Sequence, residues 1–227
     1  YASEIKIKLL KTIKQFLPKY LTKGALMLSG SQAIEYALKT AMLASKKFGF
    51  ICFKGGYHGL DFGALHCTHD PYFKKPFDKF LSNKNIIFCD YNNSIEQLEQ
   101  QITQAYYQLE SQKIGTAAII VEPIQGRSGV IIPEQMWLHK LYELCKKLKI
   151  YLIFDEIYTG FGRCGIHSFS NVYECDIACY GKILGGGFPI AACFAKEDIM
   201  NYWPKCTAEA IHTGTFFGHP FCAYASL

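Results

Sequence analysis

The sequence predicts an α/β fold with a mainly parallel sheet flanked by helices. Short apolar runs recur along the 227 residues, and stretches with helical periodicity separate them. The runs lack polar alternation, which is typical of parallel strands covered on both faces. Because strands and helices alternate and no internal repeat occurs, we expect residues 1–227 to form a single large domain.

The predicted elements follow one another in a regular order. We predict helices over 1–17, from the turn at 29–31 onward, and over 94–110, 133–148 and 196–202. We predict strands over 24–28, 50–53, 86–89, 117–121, 151–154, 176–179 and 190–195. The stretch 66–81, which contains two prolines and many aromatic residues, is predicted to be a long irregular loop.

The charge distribution argues against nucleic-acid binding. The formal net charge is +5, but Arg127 and Arg163 are the only arginines and the lysines are dispersed. Nucleic-acid binders usually cluster basic residues on one face. We also find no apolar stretch long enough to span a membrane and no signal peptide pattern, so we expect a cytoplasmic protein without membrane contacts.

The ten cysteines do not form a metal-binding pattern. No C-x-x-C pair occurs, and Cys175 and Cys179 lack a second pair or a nearby histidine doublet. We therefore expect no metal site. Small buried thiols in a reducing compartment explain the cysteines better.

The stretch that carries chemistry begins where the run 151–154 ends in Asp155 and Glu156. Lys182 follows Asp155 by 27 positions, after the next predicted strand, and it opens a Gly-rich turn. Ligands of open α/β sheets lie just beyond the carboxyl ends of strands. Burying a carboxylate there costs free energy unless a cation or a hydrogen-bond donor pairs with it. This arrangement suits pyridoxal phosphate (PLP), whose aldehyde needs a lysine for its Schiff base and whose ring nitrogen needs an anion.

Two further segments could contact such a cofactor. The turn Ser29-Gly30-Ser31 leads from a strand into a helix, so its hydroxyl and N–H groups could bind a phosphate, although simple helix capping explains it equally well. Tyr57, which lies between glycines and His58, could stack on a flat ring or be an ordinary loop aromatic. His58 could form a hydrogen bond near the site, but we favour a structural role for it. No P-loop or dinucleotide-binding glycine motif follows a strand.

Six motifs occur in the order and approximate spacing of class III PLP-dependent aminotransferases, and the chain resembles that family from about Gly24 to its end. They are LSGSQAIEYALKTA, GGYHG, VEPIQGRSGV, FDEIYTGFGRCG, GKILGGGFPIAA and TGTFFGHP. The resemblance implies that residues 1–227 form part of the PLP-binding large domain of a fold type I enzyme. It also implies that an N-terminal segment and a C-terminal small domain are missing, and that the small domain supplies an arginine for the substrate carboxylate.

The resemblance also assigns roles to individual residues. It implies that Lys182 carries the cofactor and acts as the base, and that Asp155 pairs with the ring nitrogen. The remaining assignments are the turn Ser29-Gly30-Ser31 at the phosphate, Tyr57 and Ile157 at the two ring faces, Glu122 near the substrate end, and Thr215 at the phosphate of the neighbouring subunit's cofactor. The role of Thr215 implies a homodimer with shared active sites.

Two positions depart from the family pattern. Tyr158 stands where the family often has a glutamine that contacts the ring hydroxyl, so Tyr158 is a candidate cofactor-binding residue with an altered contact. Cys164 replaces a common threonine. The exchange at Cys164 should have little consequence, whereas the exchange at Tyr158 leaves the contact with the ring hydroxyl open.

The activity that the resemblance implies is transfer of an amino group from a small amino donor to a 2-oxo acid. An aminomutase or a decarboxylase of the same fold would carry the same motifs. A non-catalytic PLP-fold fragment or scaffold is a third possibility. Because Lys182 and Asp155 are both retained, an enzyme is the favoured interpretation.

Overall fold

A computed structural model describes residues 3–81, 84–205 and 209–227 of the chain. Positions 1 and 2 of the first predicted helix, and Cys206, lie outside the described residues. The strands in the described ranges are β1 Lys23–Met27, β2 Gly49–Phe53, β3 Ile86–Cys89, β4 Thr116–Val121, β5 Tyr151–Asp155, β6 Ile177–Tyr180 and β7 Ala191–Ala195.

These strands form one mixed but mostly parallel sheet, in the order β1-β7-β6-β5-β4-β2-β3. Strand β7 pairs antiparallel with both β1 and β6, and the other four pairings are parallel. The carboxyl ends of all strands except β7 therefore lie at the same edge. The predicted α/β fold with a mainly parallel sheet is confirmed.

Helices cover both faces of the sheet. They are α1 Glu4–Phe16, α2 Gly30–Ser45, α3 Phe62–Cys67, α4 Pro71–Lys74, α5 Ile95–Ser111, α6 Trp137–Leu148, α7 Glu197–Met200 and α8 Pro220–Ala225. Within the described ranges, no helix is both long and apolar enough to cross a membrane.

The sheet separates two apolar cores, and β5 shows how its residues divide between them. Leu152 and Phe154 belong to the core that α1, α5 and α6 cover, whereas Ile153 belongs to the core beneath α2. Successive side chains of a strand point to opposite faces. Since both faces are buried, the strand has no polar alternation, and that is why the sequence shows a continuous apolar run.

The stretch 66–81 is more regular than predicted. Helix α3 extends into its first residues, α4 follows at Pro71, and a 3₁₀ turn covers Lys75–Phe77. Of the two prolines that suggested a loop, Pro71 occupies the first turn of α4, where its missing N–H costs nothing. Asp70 caps that helix by accepting a hydrogen bond of 2.9 Å from the N–H of Tyr72.

Two predicted helices are shorter in the structure. Helix α6 begins at Trp137 rather than at position 133, because a turn precedes it in which the Trp137 N–H donates to the Glu134 carbonyl at 2.9 Å. Helix α7 covers only Glu197–Met200 of the predicted 196–202.

Candidate active site

The loops that follow five strands surround one cavity at the carboxyl edge of the sheet. The cavity has a volume of about 530 Å³, a size that suits a small cofactor. Most of the site residues that were predicted from the sequence line this cavity, namely Gly30, Ser31, Tyr57, Glu122, Asp155, Ile157, Tyr158 and Lys182. The structure therefore brings together residues that lie up to 152 positions apart in the chain.

Asp155 is the acid at the floor of this cavity. It ends β5, is only 4% exposed, and its Oδ2 lies 2.7 Å from Nδ1 of the buried His58. Its Oδ1 accepts a hydrogen bond of 3.1 Å from the N–H of Ile157. Burial lowers the pKa of His58, but the hydrogen bond and charge of Asp155 raise it more, so that this pKa lies above its ordinary value. The histidine thus holds the carboxylate in place and offsets its charge.

Lys182 occupies an unusual backbone conformation at the start of the turn after β6. Its φ is +45°, in the left-handed region that residues other than glycine rarely adopt. Its Nζ lies 5.2 Å from the centroid of the Tyr158 ring. Among the residues that the structure describes, no carboxylate comes within 4.0 Å of this amine. Strained backbone of this kind is often found at functional sites.

Two cations contact the ring of Tyr158. The guanidinium carbon of Arg163 lies 5.0 Å from its ring centroid, in addition to the Lys182 contact. Gly126 packs so closely on the ring that a Cβ there would lie 2.9 Å from it. The ring of Tyr158, rather than its hydroxyl, makes the contacts that position it.

The amino end of α2 forms another wall of the cavity. Ser29 caps the helix, because its Oγ accepts from the N–H of Gln32 at 3.2 Å, and it does not line the cavity. Ser31 does line it, and its Oγ accepts from the N–H groups of Leu60 and Asp61 at 3.2 and 2.9 Å. The hydroxyl hydrogen of Ser31 is therefore left to donate to an anion.

Gly30 permits close packing at this helix end. A Cβ at this position would lie 2.9 Å from two carbon atoms of Ile157, closer than real contacts allow. Gly59, whose φ is +120°, similarly passes next to the side chain of Ser31. The amino end of α2 therefore packs directly on Ile157, and its first two residues line the cavity, where backbone N–H groups at a helix start favour an anion.

Glu122 joins the loops after β2 and β4. Its Oε1 accepts from the N–H of Tyr57 at 2.8 Å, and its Oε2 accepts from the N–H of Gly126 at 3.1 Å. Burial raises the pKa of this carboxyl above its ordinary value. The ring of Tyr57 also contacts the guanidinium of Arg127, whose carbon lies 4.4 Å from the ring centroid. Glu122 therefore fixes the backbone on which Tyr57 stands.

Thr215 is not part of this cavity. It is exposed in the segment before α8 and does not line the wall. Its predicted contact with the neighbouring subunit's cofactor stays a prediction.

Two residues that the structure places at the site were not predicted as site residues: for His58 the sequence favoured a structural role over a hydrogen bond near the site, and Arg127 was missed. His58 lines the cavity in addition to being buried and hydrogen-bonded, but its partner Asp155 is 97 positions away and no local pattern shows the pair. Arg127 also lines the wall. No sequence signal singled it out, because Arg163 is the same residue type and does not line the cavity.

No grouping of three or more histidine, cysteine, aspartate or glutamate side chains that could hold a metal ion occurs in the described part of the chain. Nine cysteines are free thiols there, and of these Cys164 is exposed and the others are buried.

An α/β sheet with a lysine and a buried carboxylate at its carboxyl edge is the arrangement of a PLP-type enzyme, and the comparisons agree with this class. Residues 1–227 match the profile of the family described as aminotransferase class-III. The chain belongs to the class III aminotransferase family.

Individual relatives show the same relationship. The chain is 38% identical to a glutamate-1-semialdehyde 2,1-aminomutase of Wigglesworthia glossinidia brevipalpis, with 96% of this chain and 50% of that protein covered. It is 34% identical to an acetylornithine aminotransferase of Methanopyrus kandleri, with 99% and 54% covered. Among solved structures, it superposes with a TM-score of 0.89 and 26% identity on a transaminase from the marine bacterium Virgibacillus, covering 100% of this chain and 53% of that one. The chain thus spans about half the length of the relatives it matches.

Proposed function

We propose that the complete protein is a PLP-dependent aminotransferase that moves an amino group from an amino donor to a 2-oxo acid. The observation that carries this proposal is the presence of Lys182 and the His58-bound Asp155 in the wall of one cavity. The amino end of α2 faces the same cavity. A lysine, a buried carboxylate and an anion-binding helix end are the three groups that this cofactor needs.

The residues present fit PLP. The Ser31 hydroxyl and the N–H groups of Gly30 and Ser31 would hold the phosphate, since all other polar contacts of Ser31 use it as an acceptor. Asp155 would pair with the ring nitrogen. Tyr57 and Ile157 would cover the ring faces.

When bound, PLP supplies the carbonyl carbon that takes up the amino group and a ring that withdraws electrons from the substrate Cα. Lys182 Nζ would hold the cofactor at rest, and would then take the proton from the substrate Cα and return it at the cofactor carbon. Asp155 would keep a positive charge favourable at the ring nitrogen. His58 would keep that carboxylate oriented. Ile157 and Tyr57 would exclude water from the ring faces.

The relationship to an aminomutase makes that activity the second candidate. The aminotransferase and aminomutase activities are distinguished by incubating the purified full-length protein and PLP with an amino donor, without an oxo acid, and analysing the products. Release of the oxo acid with conversion of the cofactor to pyridoxamine phosphate supports the aminotransferase. An isomer of the donor indicates an aminomutase, and carbon dioxide indicates a decarboxylase. If none of these products forms with any donor tested, the result supports the interpretation of the protein as a non-catalytic scaffold.

We also propose a homodimer in which Thr215 of one subunit reaches the phosphate at its partner's site. The exposure of Thr215, away from the cavity of its own chain, supports this arrangement. The test mixes two variants, Lys182→Ala and Thr215→Ala, and allows subunits to exchange. A hybrid dimer would contain one intact site, so random exchange should restore roughly a quarter of wild-type activity. If mixing restores nothing above the Thr215→Ala background, Thr215 does not act across an interface.

Two further features of the whole protein are proposals. We place residues 1–227 in a partial PLP-binding large domain, with an N-terminal segment and a C-terminal small domain outside it, because the chain spans about half the length of its relatives. We also propose a cytoplasmic location, which the free thiols of the described cysteines support. Cell fractionation would test the location.

A further inference from the structure

The two arginines of the chain are the starting point. Both lie over tyrosine rings of the candidate site, Arg127 over Tyr57 and Arg163 over Tyr158. Arg127 lines the cofactor cavity and also a neighbouring cavity of about 360 Å³, whereas Arg163 lines neither. Arg127 therefore stands on the wall that the two spaces share.

The guanidinium of Arg127 is stacked but carries no partner charge. Its carbon lies 4.4 Å from the Tyr57 ring centroid and 5.3 Å from that of Phe73. In the described ranges, no carboxylate lies within 4.0 Å of it. Among the described residues, no group accepts a hydrogen bond from this guanidinium, so its N–H donors remain available. A planar carboxylate can accept two of those hydrogen bonds at once.

The acids around the two cavities are already engaged elsewhere. Asp155 pairs with His58, and both oxygens of Glu122 accept from backbone N–H groups. Asp70, which lines the second cavity, caps the N–H of Tyr72. An arginine keeps its charge at all physiological pH values. Arg127 therefore places a positive charge in the wall of both cavities, with no counter-ion among the acids that line them.

We propose that Arg127 determines substrate specificity by binding a carboxylate of the substrate, so that the site accepts acidic amino acids and their 2-oxo acids and disfavours diamines. This inference rests on the proposed function, because it gives the substrate class of the same site. An anion gains charge-assisted hydrogen bonds at the edge of Arg127. A second ammonium group on the substrate would instead meet a like charge.

The test measures binding without turnover. Glutarate and pentane-1,5-diamine are five-carbon chains with opposite end charges. Glutarate has neither an amino group nor an oxo group, so it can bind without undergoing amine transfer. Calorimetry would give the affinity of the PLP-treated full-length protein for glutarate in wild type, Arg127→Gln, Arg127→Lys and Arg163→Gln. Because Arg127 is exposed, these substitutions should not disturb folding.

We expect Arg127→Gln to weaken glutarate binding on the order of tenfold or more, since the lost bonds involve two charges. Arg127→Lys should recover part of the affinity, because it restores the charge but not the paired hydrogen bonds. Arg163→Gln should leave the affinity unchanged. Michaelis constants should follow the same order, and Arg127→Gln should lower the constant for the diamine relative to that for an acidic amino donor.

Unchanged glutarate affinity in Arg127→Gln would overturn the inference, as would an equal loss in Arg163→Gln, which would indicate only a general effect of charge. Borohydride reduction of the same samples shows separately whether PLP is attached to Lys182. A missing attachment would count against the proposed function, whereas attachment with unaltered glutarate binding would count against Arg127 alone.

Discussion

His58 Nδ1 and Asp155 Oδ2 lie 2.7 Å apart in the interior of the protein, although 97 positions separate them in the chain. The pair joins the loop after β2 to the end of β5. Without His58, the buried carboxylate of Asp155 would keep a single hydrogen bond, from the N–H of Ile157. The pair therefore contributes both to the stability of the fold and to the position of Asp155 in the cofactor site.

Replacement of His58 by asparagine should lower both the stability of the fold and the affinity for PLP. Removing one partner of a buried ion pair leaves the other charge uncompensated, so we expect the free energy of unfolding to fall by about 3 kcal/mol. We also expect weaker PLP binding. Urea denaturation and fluorescence titration with PLP measure the two effects. His139→Asn, at an exposed position, is the matched control and should change neither.

The His58–Asp155 pair also predicts a pH dependence. The pKa of His58 is raised in the folded protein, so the stability that its protonation contributes is fully present below the ordinary value of about 6.5. That contribution is lost as the pH rises through the raised pKa. The difference in unfolding free energy between wild type and His58→Asn should therefore shrink as the pH increases. A difference that grows with pH would contradict the assignment.

Close packing of Gly30 on Ile157 predicts a steric effect. Gly30→Ala places a Cβ about 2.9 Å from Ile157, so we expect a loss of stability of about 1–3 kcal/mol and weaker PLP binding. Ile157→Ala removes all three contacting carbon atoms. The double variant should therefore lose less than the sum of the single variants, in both unfolding and PLP titrations. Simple additivity would show that the two residues do not share this contact.

Glu156 predicts a purely structural effect beside the site. It is 1% exposed and accepts hydrogen bonds from Ser168 Oγ at 2.5 Å, Phe169 N–H at 2.6 Å and Ser170 N–H at 2.9 Å. Glu156→Gln turns an N–H₂ group toward these donors. We expect the free energy of unfolding to fall by about 2–3 kcal/mol. The exposed Glu143→Gln should have no measurable effect in the same urea titrations.

The position of Tyr158 predicts that its ring matters and its hydroxyl does not. Its described contacts, with Lys182, Arg163 and Gly126, all involve the ring. Tyr158→Phe should keep the affinity for PLP within about twofold, whereas Tyr158→Ala should weaken it, because cation–π contacts contribute about 0.5–2 kcal/mol. An equal loss in both variants would show that the hydroxyl contacts the cofactor, as the glutamine of relatives was expected to do.

The fold was largely predictable from the sequence because its signals are local. The run 151–154 and the run 86–89 have nearly the same bounds in the structure, since buried parallel strands give uninterrupted apolar runs. The short helix at Pro71 was not predictable in this way. Proline occurs both in loops and at the start of helices, and the capping by Asp70 decides between them only in the folded chain.

The candidate site was predictable only in part. Lys182 and Asp155 carry recognisable chemistry at strand ends, and the structure places both at one cavity. The partnership of His58 with Asp155 depends on tertiary contacts across 97 positions, and so does the clamp that Glu122 forms on the backbone of Tyr57. Residue type alone did not distinguish Arg127 from an ordinary surface arginine, because its missing ionic partner is visible only in three dimensions.

The most direct test of the account is where PLP attaches. The full-length protein would be incubated with PLP, reduced with borohydride and digested, and the modified peptide would be identified by mass spectrometry beside Lys182→Ala and the neighbouring control Lys196→Ala. Lys196 does not line the cavity, and its Nζ pairs with Asp176 at 2.7 Å. We predict that the cofactor is fixed to Lys182 in wild type and in Lys196→Ala, and that Lys182→Ala carries none. Attachment at another lysine, or equal attachment in Lys182→Ala, would contradict the account.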